Sequence, residues 1–189
     1  MSLGFLVLFL ILVGLFNCKT VEAKQALVVI FEWFREPPYS ETRSVLENKG
    51  VKVIVASSSV NPLPGREKKL TVKPDMLLSQ VRTTEYDAIV FIGGDRYPGD
   101  NADAIRIAKE GAAEGKVLAA FSLGIRTLFK TDLLKGKRVA TGDTFWAQKA
   151  GATVSTAPVE QDGRIITGGY TVPRQFAETV AAALTAGSQ

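Results

Sequence analysis

Lys116–Leu134, KVLAAFSLGIRTLFKTDLL, decides the fold. Val117–Phe121 is short and apolar and follows Gly115, the pattern of a strand buried on both faces of a parallel sheet. Ile125, Leu128, Phe129 and Leu133 then recur at helical spacing, which predicts a helix whose apolar stripe packs back on that sheet. Ser122 stands at the join. A side chain there projects above the carboxyl end of the strand, beside the free N–H groups of a helix N-terminus, and Gly124 permits close approach of helix and strand. Such an elbow suits a nucleophile or an anion.

Working outward, Gln25–Phe31 and Val51–Ala56 read as strands either side of a helix at Tyr39–Lys49, with Pro37 and Pro38 confined to the preceding loop or the first helical turn. A hairpin is expected around Lys69–Val72, and a short helix capped by Asp75 and running to Val81. Asp87–Ile92 is the next buried strand. Asp100 or Asn101 caps a helix reaching Glu114, with an alanine-rich stripe that implies close packing. After the elbow come a short strand at Lys137–Ala140, a helical turn at Thr144–Lys149, and a hairpin of Val159–Gln161 with Arg164–Thr167 around Asp162-Gly163. A helix opened by Pro173 closes the pattern. Strands alternating with helices predict an α/β doubly wound sandwich with a mostly parallel sheet, whose ligands bind outside the carboxyl ends of the strands.

The chain begins with an apolar block from Leu3 to Phe16 that ends in Val21-Glu22-Ala23. It reads as a secretory signal over residues 1–23, cut before Lys24, without the usual positive residues at its start. The alternatives are an uncleaved membrane anchor and a lipid-modified Cys18. The block is shorter than the ~20 residues that cross a bilayer comfortably. Cleavage leaves residues 24–189 as one domain, and the expected location is secreted or periplasmic with no stable membrane span. The chain holds no histidine and one cysteine, Cys18, which leaves with the signal. That removes the usual zinc sites, every His-dependent triad and any thiolate nucleophile from the mature chain, so neither metal nor cofactor is expected. The net charge of +4 does not imply a nucleic acid. Its two basic groups, at Arg66–Lys69 and Lys135–Arg138, carry no interleaved aromatics and read as solvated loops.

Residues following the strands should face the ligand. Glu32, Trp33, Arg35 and Glu36 follow the first strand; Asp95, Arg96 and Tyr97 follow Gly93-Gly94; Gly169 and Tyr170 follow the last strand. Together they predict a lined pocket, although ordinary loop polarity and structural turns explain the same residues.

The order YDAIVFIGGD, EGKVLAAFSLGIRTL, LLKGKRVATGD, AGAT and DGRIITGG before a final helix resembles the ThiJ/PfpI family of the class I glutamine amidotransferase-like superfamily. The resemblance covers nearly all of Gln25–Leu184. It implies a flavodoxin-like sandwich, often a homodimer, with members that act as glyoxalases, deglycases, chaperones or proteases. It also implies an oxyanion cradle at the backbone N–H groups of Gly94 and Leu123. The family's elbow cysteine, usually followed by histidine or a small residue, corresponds to Ser122 followed by Leu123. The family's glutamate falls on or near Pro38, leaving Glu36 as the nearest carboxylate.

A serine needs a positioned base to become nucleophilic, whereas a cysteine is already partly thiolate. A carboxylate such as that of Glu36 serves only if burial raises its pKa strongly. Ala120–Gly124 is similar to the G-x-S-x-G elbow of serine hydrolases with alanine in the first position, but that machinery requires histidine. The expectation is an exported domain that binds a small carbonyl or anionic ligand, or associates, without the family's chemistry. The alternative is a divergent glyoxalase-, deglycase- or hydrolase-like enzyme using Ser122.

Overall fold

A computed structural model describes residues 23–186. The first strand, β1 (Gln25–Val29), leads into α1 (Glu36–Asn48), then β2 (Lys52–Ser57). Two-residue strands β3 (Leu63–Pro64), β4 (Thr71–Val72) and β5 (Met76–Leu77) follow, then β6 (Ala88–Ile92), α2 (Ala102–Ala113) and β7 (Val117–Phe121). Beyond the elbow lie α3 (Ile125–Phe129), β8 (Arg138–Val139), α4 (Thr144–Lys149) and β9 (Thr153–Val154). The hairpin β10 (Val159–Asp162) and β11 (Ile165–Gly168) precedes α5 (Pro173–Thr185).

The main sheet runs β10-β11-β7-β6-β1-β2-β5, and every neighbouring pair is parallel except β10 with β11. The fold is therefore the flavodoxin-like α/β sandwich with a mostly parallel sheet that the alternation of strands and helices predicts. Strand side chains alternate between two cores. Ala26, Val28 and Ile30 meet Tyr39, Val45 and Leu46 of α1 and Phe176 and Val180 of α5 on one face. Leu27, Val29 and Phe31 meet Ala104 and Ile107 of α2 and Ile125 and Leu128 of α3 on the other. A strand covered by helices on both sides must be apolar throughout, which is why β6 and β7 read as unbroken apolar runs.

Several local expectations change. The first helix begins at Glu36, ahead of Tyr39, because Pro37 and Pro38 fit its first turn, where an N–H has no helical acceptor to lose. Asp75 does not cap a helix. Its Oδ2 accepts the Val55 amide at 2.8 Å and so fastens β5 to the sheet edge, with two short 3₁₀ turns, Leu78–Gln80 and Thr83–Glu85, after it. The hairpin partner of Thr71–Val72 is Leu63–Pro64, farther back than Lys69. Asn101, rather than Asp100, caps α2 by accepting the Ala104 amide at 2.9 Å. The helix after the elbow stops at Phe129, short of Leu133. Thr131 ends it: its hydroxyl donates to the Leu128 carbonyl at 2.7 Å and accepts the Leu133 amide at 3.2 Å, replacing the next helical turn.

The β10–β11 turn gives a pH-dependent fastening. Lys137 Nζ donates to Asp162 Oδ1 at 2.9 Å and the Arg138 amide to Oδ2 at 3.0 Å. The Lys137 hydrogen bond first, and the Arg138 amide second, hold the Asp162 carboxyl below its usual value. A depressed carboxyl stabilises the fold fully above its unfolded value of about 3.9, and that contribution is lost as pH falls through the lower folded value. Asp162→Asn should therefore be less stable than wild type at neutral pH, with the gap closing below roughly pH 4. Paired denaturant titrations check this, and a gap that widens in acid would contradict it.

Candidate functional site at the strand elbow

The adjacent strands β7, β6, β1 and β2 end on one edge of the sheet, so Phe121, Ile92, Phe31 and Ala56 deliver their loops to a common surface. Ser122 follows β7 directly with φ 55°, a left-handed conformation that a non-glycine residue adopts only where its surroundings enforce it. The enforcement is visible. Gly93 donates to the Phe121 carbonyl at 3.0 Å, and a Cβ on Gly93 would stand 2.5 Å from the Leu123 nitrogen and 2.6 Å from that of Gly124. A Cβ on Gly124 would strike the Phe91 carbonyl oxygen. The elbow is thus backbone packed on backbone, with glycines where two chains touch.

Gly94 belongs to a second close approach. It forms an isolated bridge with Phe34, flanked by bonds from the Arg35 amide to the Gly93 carbonyl (2.9 Å) and from the Asp95 amide to the Trp33 carbonyl (3.2 Å). Neither the Gly94 nor the Leu123 amide donates to a backbone carbonyl in these turns. Ser122 is 8% exposed, and its hydroxyl makes no hydrogen bond among the described residues. Backbone amides near such an elbow can hold an oxyanion or a carboxylate without help from a side chain.

The other candidate residues fall into separate groups. Glu32 and Arg96 line a small pocket of about 270 Å³ with Phe31, Ser57, Ser58 and Leu63. Trp33, at φ 61°, lies under two cations, with the Arg96 guanidinium 5.4 Å and the Lys68 ammonium 5.6 Å from its ring centroid. Asp95 pairs with Arg66 at 2.7 Å. Arg35 caps α1 through its backbone and lies 3.9 Å from Glu67. The Tyr97 hydroxyl is buried against Thr127 Oγ1 at 2.8 Å, and burial pushes its pKa up while that hydrogen bond opposes the shift, so it is a packing residue with no accessible phenolate. Gly168 pairs with Phe121, so Gly169 and Tyr170 leave the sheet beside the elbow on the side away from Gly94. Tyr170 is 47% exposed.

Glu36 points elsewhere. Its Oε1 accepts the Lys69 amide at 3.0 Å, its own amide donates to Glu67 Oε2 at 3.1 Å, and the absent Cβ of Gly65 makes room for its side chain. No hydrogen bond joins it to Ser122. Glu36 is the carboxylate nearest Pro38 along the chain, and its contacts make it the fastener of the 65–69 turn. Ser57, buried with no partner for its hydroxyl, was not anticipated, because a serine ending a strand carries no distinguishing pattern. No group of histidine, cysteine, aspartate and glutamate side chains among the described residues could hold a metal ion.

The model of the DJ-1/PfpI family matches residues 24–183, a span that includes the elbow. The chain belongs to the DJ-1/PfpI family. It is 31% identical over 153 residues to an uncharacterised protein of Methanocaldococcus jannaschii, covering 77% of this chain and 74% of that one. A deglycase of Pyrococcus abyssi is 34% identical over 96 residues, 49% of this chain and 57% of the relative. Among solved structures, a two-domain protein from Anabaena variabilis with DJ-1/ThiJ/PfpI-like and ferritin-like domains superposes with a TM-score of 0.81 at 24% identity. That match covers 87% of this chain, which spans only 49% of the two-domain protein. Similar family members thus include deglycases and uncharacterised proteins.

Proposed function

We propose that this DJ-1/PfpI domain binds a small carbonyl-containing or anionic ligand at the backbone amides of Gly94 and Leu123 and does not carry out the covalent chemistry of its cysteine-bearing relatives. The observation that carries this reading is the isolation of Ser122 Oγ, which meets no base among the described residues. A serine without a positioned base is a poor nucleophile at neutral pH. Histidine is missing from the chain, and the Glu36 carboxylate is engaged by Lys69. A backbone cradle, by contrast, survives loss of the nucleophile beside it.

The second reading, a divergent hydrolase- or deglycase-like enzyme using Ser122, is favoured by the left-handed φ of that residue, since backbone strain clusters at active sites. One panel separates the two. α-Oxoaldehydes, esters and short peptides are assayed with wild type, Ser122→Ala and Ser122→Cys. The expected result is no turnover above the uncatalysed rate by wild type or Ser122→Ala. Ser122→Cys gains a thiol beside helix-start amides that lower its pKa, yet remains slow, because Pro38 stands where the family's acid would be. Wild-type turnover that drops by about three orders of magnitude or more in Ser122→Ala would replace this proposal with the enzymatic one.

The reading includes export and association as a homodimer. The apolar block ending in Val21-Glu22-Ala23 lies almost entirely outside the described residues; among those described, no helix is long and apolar enough to cross a membrane. Intact-mass measurement of the protein made in its own host should show an N-terminus at or near Lys24. A mass that includes Met1–Ala23 would contradict cleavage.

A further inference from the structure

A larger cleft lies on the flank of the helix that begins at the elbow. Its volume is about 570 Å³, within the range of small-molecule sites. Arg126, Phe129 and Lys130 form one wall, Trp146 and Lys149 the other, and Tyr97–Asp100 the remaining side. Ser122, Gly94 and Leu123 do not line it, so it is separate from the elbow cradle.

Tyr97, Phe129 and Arg126 of this lining also serve the fold, through core packing and the Arg126–Asp143 pair, but Trp146, Lys130 and Lys149 are not tied into it in the same way. Trp146 remains 41% exposed on a helix of six residues, and its neighbour Phe145 is 67% exposed. Burial therefore does not explain Phe145 and accounts for only part of Trp146. Lys149 Nζ stands 4.9 Å and Lys130 Nζ 5.7 Å from the Trp146 ring. Neither ammonium forms an ion pair with a carboxylate among the described residues, whereas Arg126 is neutralised by Asp143 at 3.0 Å. Asp100 is the one acidic residue in the lining. Two uncompensated cations converge on an indole, with Phe129 and Pro98 as apolar walls.

We propose that this cleft is a second ligand site, which takes a small anion bearing a planar aromatic group, of the nucleotide or aryl phosphate class. Lys130 and Lys149 neutralise the anionic part, whereas a neutral or cationic ligand would leave both ammoniums uncompensated. Trp146 and Phe129 receive the planar part, as aromatic walls do for nucleobases. A second copy of this chain presenting the same face is a poor occupant, because it would bring its own Lys130 and Lys149 against these lysines.

The test uses isothermal titration calorimetry with ADP, pyrophosphate and adenosine as probes. Proteins are wild type, the double variant Lys130→Ala/Lys149→Ala, and Trp146→Ala, each checked for an unchanged circular dichroism spectrum. Saturable ADP binding by wild type is expected, at least tenfold tighter than either pyrophosphate or adenosine. Each variant should weaken ADP at least tenfold, and raising the salt should weaken wild-type binding while affecting the lysine variant little. Absence of saturable ADP binding at millimolar concentration overturns the proposal. So does unchanged affinity in the lysine variant, or pyrophosphate binding as tight as ADP, which would describe an anion site without aromatic recognition.

Discussion

Gly124→Ala should destabilise the protein by about 3 kcal/mol. This is among the largest effects expected of a one-methyl addition at the described glycines, together with Gly94, whose added carbon would meet the Trp33 carbonyl oxygen as closely. At Gly124 the added carbon would strike the Phe91 carbonyl oxygen, which is backbone and cannot rotate away. Phe91 itself is held in β6 between Val29 of β1 and Ala120 of β7, so relief requires moving the centre of the sheet. Gly50→Ala provides the contrast. Gly50 has φ +74° but nothing within 4 Å of an added Cβ, so its substitution costs only the left-handed conformation, about 1 kcal/mol. Urea titrations with unchanged slope should give this order. Equal losses at the two positions would show that the elbow can relax, and would remove the argument that backbone packing holds Ser122 in its strained conformation.

That packing explains why the elbow was legible in the sequence. A strand of five apolar residues, one small polar residue and a glycine two places on leave few other ways to join strand to helix, and the mostly parallel character of the sheet followed from alternation with helices. What could not be read was set by contacts between distant segments. Asp75 has the ordinary appearance of a helix cap, and only the Val55 amide, twenty positions earlier, makes it an edge-strand clasp. Thr131 ends α3 with its own hydroxyl, against a hydrophobic stripe that continues to Leu133. The Trp146 cleft joins α3 and α4 across the intervening β8, and no local periodicity marks residues that converge in that way.

Glu36 is where nearness in sequence and contact in the fold diverge most, and its substitutions separate a fastener from a base. Glu36→Ala removes the acceptor of the Lys69 amide and leaves a gap over Gly65, so a loss of about 1–3 kcal/mol is expected, the cost of stranding a partly buried donor. Glu36→Gln keeps a side-chain carbonyl oxygen of the same reach, so Lys69 retains its partner and stability should remain within about 1 kcal/mol of wild type. Hydrogen exchange of the Lys69 amide should follow the same pattern, fast in the alanine variant and near wild type in the glutamine variant. A base fails this substitution, since an amide cannot take a proton from Ser122. If any Ser122-dependent turnover exists, Glu36→Gln should leave it unchanged, because no hydrogen bond links the two side chains. A glutamine variant that kept its stability and the protection of Lys69 while losing about three orders of magnitude in rate would return Glu36 to the reaction and place its carboxylate, in the working protein, on the serine.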